Sequence, residues 1–326
     1  MVRFQPLQIH HVKIFLKVGL GAIVAVLVLA AIAVSLTLEP DRSVDALAQR
    51  WALPPSQFLE LAGMRVHYRD EGPRDDPTPL VLIHGTSSSL HTWEGWVAAF
   101  KGRRRVITMD LPGFGLTGPQ PEDDYRIGTY ARFMLAFLDR LGVNRCVLAG
   151  NSLGGSIAWQ VALAEPARVE RLILVDAAGY SVKSTSIPLG FRIARTPVLN
   201  RIMLYTLPRS LVEASVRNVY GDPAHVTPDL VDRYFELTLR EGNRRAVTLR
   251  FEQSDWGADA PRIKGVTTPT LILWGGRDRL IPAEDARAFE RDIAGSKLVI
   301  FDDLGHVPHE EEPARTAAAV KAFLGL

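Results

Sequence analysis

The chain has 326 residues, 47% of them hydrophobic and 23% charged, with a formal net charge of +2. That length can bury one large core, or a core plus a smaller inserted unit, and the composition is that of an ordered protein without low-complexity tracts. The near-neutral balance gives no reason to expect a nucleic-acid partner, and the single cysteine, Cys146, excludes an intramolecular disulfide and a multi-cysteine metal cluster.

From Val18 to Leu38 the chain is apolar and uncharged. At 1.5 Å per residue this stretch would span roughly 31 Å, about the hydrocarbon thickness of a bilayer. Arg3, Lys13 and Lys17 precede it, while Glu39 and Asp41 follow. The positive-inside rule then leaves residues 1–17 cytoplasmic and puts the remainder on the exoplasmic, periplasmic side of a single-pass anchor at 18–38. The alternative is a cleaved signal peptide ending near Ala31-Ile32-Ala33; the length of the apolar run favours the anchor. Gly19, Gly21, Ala22 and Ala25 offer a packing face through which two copies could pair as a homodimer. Residues 39–56 read as a juxtamembrane helix and linker. Val44, Leu47, Ala48 and Trp51 share one helical face and Pro54-Pro55 ends it. That face can lie on lipid, meet a second copy, or dock on its own domain.

A hairpin follows, Gln57 to Leu61 and Met64 to Arg69 around Gly63. Short buried strands are expected at Leu80–Ile83 and Arg105–Met109, then a helix over Thr129–Leu141 stopped by Gly142. Next come a strand at Arg145–Ala149, which buries Cys146, a helix at Leu153–Glu165 and a strand at Arg171–Val175. Towards the end, strands at Thr270–Trp274 and Lys297–Phe301 flank a helix at Ala283–Ile293, and a helix at Pro313–Phe323 closes the chain. Strands alternating with helices predict a mostly parallel sheet covered on both faces, built from residues 57–180 and 262–326. Between them, residues 181–261 show no strand pattern. Helices at Pro197–Tyr205, Pro208–Tyr220, Pro228–Arg240 and Asn243–Trp256 predict an all-helical insertion, read as a lid over the strand ends.

Gly150-Asn151-Ser152-Leu153-Gly154 fits G-x-S-x-G, a pattern that is weak alone but here sits between a strand and a helix. A nucleophile on such a strained turn needs small neighbours for close approach, and the helix start favours developing negative charge. A serine hydroxyl needs a base to take its proton and a carboxylate to orient that base. Asp278 and His306 each follow a predicted strand, and both fall after Ser152 in the chain. Asp176 and His309 are the competitors for those roles. Asp176 is less well placed in chain order, and His309 stands in an acidic stretch that suggests an exposed helix start. His84 is expected to support its loop. The backbone N–H groups of Leu153 and Thr86 are the expected oxyanion donors. His91, Trp93 and Trp96, after the His84-Gly85-Thr86 loop, could wall the substrate pocket with Phe191, or pack beneath it. No histidine spacing suits a metal ligand set, so no metal is expected.

His84-Gly85, Asp110-Leu111-Pro112-Gly113-Phe114-Gly115, Gly150 to Gly155, Gly276-Arg277-Asp278 and Gly305-His306 stand in the order of the α/β-hydrolase superfamily. The chain resembles that family from about Phe58 to Leu326. The resemblance implies an α/β-hydrolase fold with an eight-stranded sheet, a helical lid and no cofactor. Within the family the chain looks like lidded esterases and carbon–carbon-bond hydrolases, and its N-terminal span makes it similar to membrane-anchored phospholipase A and lysophospholipase-like members. Asn151 departs from the histidine often found there. Ser152 argues against epoxide hydrolases and haloalkane dehalogenases, which use aspartate as nucleophile.

The expected function is therefore a serine ester hydrolase acting on acyl esters, membrane lipids foremost, of phospholipase A, lysophospholipase or carboxylesterase type, with an acyl ester or phospholipid as substrate and the membrane as partner through the N-terminal helix. The insertion interleaves Ile187, Leu189, Phe191, Ile193, Val198, Leu199, Ile202, Met203 and Leu204 with Arg192, Arg195, Arg201 and Arg209. Apolar residues suit an acyl-chain pocket and arginines suit anionic head groups; a small core with a solvated basic face is the plainer reading. A hydrolase of ring-cleavage products with the same triad, and a binding protein that keeps only the fold, are the alternatives.

Overall fold

The computed structural model describes residues 17–26, 28, 32, 35–181 and 183–326. Its centre is one eight-stranded sheet in the order β1-β2-β4-β3-β5-β6-β7-β8. The strands are β1 (Gln57–Leu61), β2 (Met64–Glu71), β3 (Leu80–Ile83), β4 (Val106–Met109), β5 (Cys146–Asn151), β6 (Val169–Val175), β7 (Thr270–Gly275) and β8 (Lys297–Phe301). Strands β3 to β8 pair in parallel, and the β1–β2 hairpin joins antiparallel to β4 at one edge. In β3, β4, β5 and β7 every residue is buried. Continuous Val/Ile/Leu runs rather than alternation are what a sheet covered on both faces requires.

The helices are α1 (Val44–Trp51), α2 (Glu94–Phe100), α3 (Ile127–Arg140), α4 (Leu153–Ala164), α5 (Leu189–Ala194), α6 (Leu199–Ile202), α7 (Arg209–Val219), α8 (Pro228–Thr238), α9 (Asn243–Glu252), α10 (Ala283–Asp292), α11 (Pro308–Glu311) and α12 (Pro313–Leu324). α4 is buried almost all round, from Leu153 to Ala162, as its uniformly apolar sequence dictates. With α3 it packs into a core that includes Phe133, Phe137, Ile157 and Trp159. Helices α2 and α12 cover the other face, where Trp96, Phe100 and Val320 bury Leu80, Leu82 and Val147.

Helices α5 to α9 all lie between β6 and β7, so the insertion is helical as its proline-punctuated pattern predicts. α5 was not expected, because it is a six-residue helix without a polar cap to mark it. α1 is capped by Ser43, whose hydroxyl accepts from Ala46 N at 3.3 Å. It docks on its own chain: Leu47 is buried against Leu116 and Leu237, and Trp51 Nε1 donates to Glu236 at 2.6 Å. The expected span at Val18–Leu38 lies partly outside the described residues; among those described, no helix is long and apolar enough to cross a membrane.

Candidate active site

The turn from β5 into α4 is as tight as its glycines allow. A Cβ on Gly150 would stand 2.1 Å from Gly154 O, and one on Gly154 would stand 2.2 Å from Ile83 O. Backbone passes so closely here that only glycine fits. At the apex Ser152 has φ 54° and ψ −114°, a conformation unfavourable to a side chain and characteristic of strained functional turns. Ser152 N donates to Val175 O at 3.0 Å, and Ser152 O accepts from Ala178 N and Ser156 N. The strained residue is thus held from three sides. Leu153 opens α4, so its N–H has no partner within the helix and carries the positive end of the helix dipole.

Asp278 and His306 reach the same end of the sheet from the loops after β7 and β8. His306 Nδ1 lies 2.6 Å from Asp278 Oδ2. Asp278 Oδ1 accepts from Leu280 N at 2.8 Å and Ile281 N at 2.9 Å, which fixes the carboxylate plane. With Nδ1 spent on a carboxylate, the tautomer leaves Nε2 as the imidazole's free acceptor. Asn151 ties the loops together: its Nδ2 donates to His306 O at 2.9 Å and Val175 O at 3.2 Å. In the sequence Asn151 stands out only as a departure from the family's histidine, since a bond to a loop so distant in the chain leaves no local signal.

Ser152 and His306 line one cavity of about 110 Å³. Thr86 stands in its wall beside Gly85, and a Cβ on Gly85 would come within 3.1 Å of Ser152 Cβ. The roof is the insertion: Phe191, Met203, Leu207, Leu211, Val216 and Val247 face inward. The lining contains no Lys, Arg, Asp or Glu among the described residues. Tyr234, also in the wall, donates to Glu310 Oε2 at 2.8 Å, and Arg233 pairs with the same carboxylate, fastening α8 to α11.

Of the expected pocket residues, only Phe191 lines this cavity. His91 is buried elsewhere, its Nε2 2.9 Å from Trp51 O and its Nδ1 3.1 Å from Ser89 Oγ; burial pushes its pKa down to about 3. Trp93 and Trp96 point into the α2–α12 layer, where Trp96 Nε1 donates to Thr316 Oγ1 at 2.9 Å. Trp96 of α2 and Trp93 of the turn before it pack instead with Ala317 and Val320 of α12. His309 is not exposed as expected but fully buried, with its ring 4.0 Å from Trp93 and burial holding it neutral. His84 supports its loop as expected, Nδ1 donating to Gly85 O at 2.7 Å and Nε2 accepting from Leu111 N at 2.9 Å. Asp110, which follows β4, is likewise structural. Burial opposes its charge, yet His67 at 2.7 Å keeps its carboxyl well below the usual range. It also accepts from Leu90 N and Leu116 N.

Asp176, the competing acid, sits fully buried beside Asp278. Its Oδ1 accepts from Gly275 N at 2.9 Å, and polar atoms of Asp176, Asp278 and His306 lie within 4.8 Å of one another.

A model of the family described as alpha/beta hydrolase fold matches residues 78–313. An uncharacterized protein of Mycobacterium bovis is 31% identical over 303 residues, covering 88% of this chain and 84% of that one. A 2-hydroxymuconate semialdehyde hydrolase of a Pseudomonas species is 27% identical, covering 81% of this chain and 91% of that one. The crystal structure of a bacterial membrane phospholipase A superposes with a TM-score of 0.71 at 26% identity, covering 98% of each chain.

Proposed function

This chain belongs to the α/β-hydrolase superfamily, and we propose that it cleaves carboxylic esters of acyl lipids through Ser152, His306 and Asp278. In this reading His306 Nε2 takes the Ser152 proton as Oγ attacks the acyl carbon. The N–H groups of Leu153 and Thr86 receive the oxyanion, and the alcohol leaves with the proton returned by His306. Water, activated by the same imidazole, then frees the fatty acid and restores Ser152. Asp278 holds the ring in the tautomer that both steps need.

The observation that carries the substrate class is the cavity wall. It is mostly apolar on the insertion side, where the hydroxyls of Ser215, Tyr234 and Thr238 already donate to Leu211 O, Glu310 and Tyr234 O, as an acyl chain with one reacting carbonyl demands. A ring-cleavage product such as 2-hydroxymuconate semialdehyde brings a carboxylate, and no cationic side chain among the described residues lines the cavity to meet it. That favours the ester over the carbon–carbon bond.

The insertion acts as the lid in this reading. Its two faces differ: Phe191 and Met203 face the cavity, whereas Leu189, Val198, Leu199, Ile202 and Tyr205 are exposed, with Arg192, Arg195 and Arg201 among them. Leu207 N donates to Thr37 O and Glu39 N to Tyr205 O, so this face adjoins the end of the apolar N-terminal stretch. An anchor at 18–38 would hold the catalytic domain, on the exoplasmic side, against a lipid surface. Arg209 takes no part, being engaged by Asp232.

The test offers purified protein three substrates: phospholipid vesicles, p-nitrophenyl esters and a ring-cleavage dienoate. Fatty acid and nitrophenol release are expected, with Ser152→Ala reducing both by about 10⁴-fold or more while the fold persists. Preferred cleavage of the dienoate, or an unimpaired Ser152→Ala enzyme, would overturn the reading.

A further inference from the structure

We propose that Asp176 is held as a neutral acid and donates its proton to the carboxylate of Asp278, making Asp176 a positioning residue for His306. This builds on the reading of Ser152, His306 and Asp278 as a hydrolytic triad. The two carboxyls are unequally served. Asp278 receives the N–H groups of Leu280 and Ile281 and the Nδ1 of His306, three partners that suit a negative charge. Asp176 receives one, from Gly275 N, and its buried Oδ2 meets no donor among the described residues. A carboxylate oxygen left so in the interior is costly, and two adjacent buried carboxylates do not both ionise. A proton on Oδ2 resolves both problems, because it turns the orphan acceptor into a donor towards Asp278.

The backbone supports a purposeful placement. Asp176 has φ 43°, a left-handed conformation rare for a side-chain-bearing residue, and its N–H is fixed to Leu273 O at 3.0 Å. That conformation stands directly past the end of β6, with the side chain beside Asp278 and His306. The charged groups facing it are all acids: Asp278 itself, Glu311 of α11 and, beyond Asp278, Asp285 of α10, with His306 as the base of the cluster. Burial, and then the charge of Asp278, push the Asp176 carboxyl well above the usual carboxylate range. The pair shares one proton and one charge, and the charge stays on the member that touches His306.

The role predicts a pattern that packing alone does not. Asp176→Val removes the donor to Asp278 and is expected to lower kcat for a p-nitrophenyl ester by about 10- to 100-fold, the worth of a hydrogen bond to a charged group. Asp176→Asn keeps both a donor and an acceptor and should rescue most of that loss. Because a neutral amide replaces a neutral acid, the acidic limb of the kcat/KM pH profile should stay in place. Infrared difference spectra of wild type against Asp176→Asn at pH 7, recorded without substrate, should show a protonated-carboxyl band present only in wild type. Absence of that band overturns the proposal. So does an acidic limb that falls by a pH unit or more in Asp176→Asn, which would mean that an ionised Asp176 had been supporting the imidazolium. Should the valine variant fail to fold, the infrared comparison and the asparagine profile decide alone. The spectra also separate this proposal from the ester reading, since they need no turnover.

Discussion

Ser152, Asp176 and Asp278 show how single residues here are held by backbone geometry rather than by side-chain packing. Ser152 and Asp176 both adopt positive φ immediately past the ends of the adjacent parallel strands β5 and β6, and Ser152 N donates to Val175 O, the residue before Asp176. Such strain persists only where the surroundings over-determine it. Asp285 extends the acid cluster at the start of α10. Burial and the neighbouring Asp278 charge raise its carboxyl to about 6. Its folded pKa thus exceeds the unfolded value of about 4. The stability it contributes is full below that lower value and is lost as pH rises through the higher one. Asp285→Asn, which cannot ionise, should therefore raise Tm at pH 8 and leave it unchanged at pH 4. A gain of equal size at both pH values, or none at pH 8, would contradict this. At this scale the sequence is readable where a residue's position follows from a strand end, as for Asp278 and His306. It is silent where a contact joins distant segments. Asn151 reaches the His306 loop and Trp96 reaches Thr316, and neither bond has a local pattern to announce it.

At the scale of elements, the strands are legible because sheet burial on both faces demands short unbroken apolar runs, and β3 and β7 fall where those runs fall. The helices of the insertion are harder to bound. Pro208 and Pro228 mark the starts of α7 and α8, but α5 and α6 are too short for periodicity to show. α5 turns Phe191 to the cavity and Leu189 to the surface, while α6 leaves Leu199 and Ile202 exposed and Met203 after it faces inward, a division that composition cannot express. Leu211 and Val216 of α7 form part of the cavity roof. Leu211→Trp should shorten the space available to an acyl chain. The expected result is a fall of about tenfold or more in kcat/KM for long-chain esters, with p-nitrophenyl acetate turned over as before. Equal losses on both substrates would instead indicate damage at Ser152.

At the scale of the whole molecule, the end of the apolar N-terminal stretch meets the insertion, where Leu38 pairs with Thr206 and Glu39 N donates to Tyr205 O. Leu36 and Leu38 are exposed beside Tyr205, and α1 closes the path back onto α8 through Trp51 and Glu236. α1 docks on its own chain, a choice that the amphipathic pattern alone leaves undecided among lipid, a second copy and its own domain. Deleting residues 1–34 spares the Thr37 and Glu39 bonds. The truncated protein is expected to hydrolyse short soluble esters normally and to release fatty acid from vesicles at least about tenfold more slowly, because the enzyme is no longer concentrated at the surface. Equal rates on vesicles would place the lipid contact elsewhere.

Attack of Ser152 on an acyl ester in this mostly apolar cavity is open to direct labelling. Incubating the full-length protein with a long-chain alkyl fluorophosphonate, followed by peptide mass spectrometry, tests it most directly. A single adduct on Ser152 is expected, suppressed when phospholipid vesicles are added first. An adduct on another residue, or an unmodified Ser152 after prolonged incubation, would contradict it.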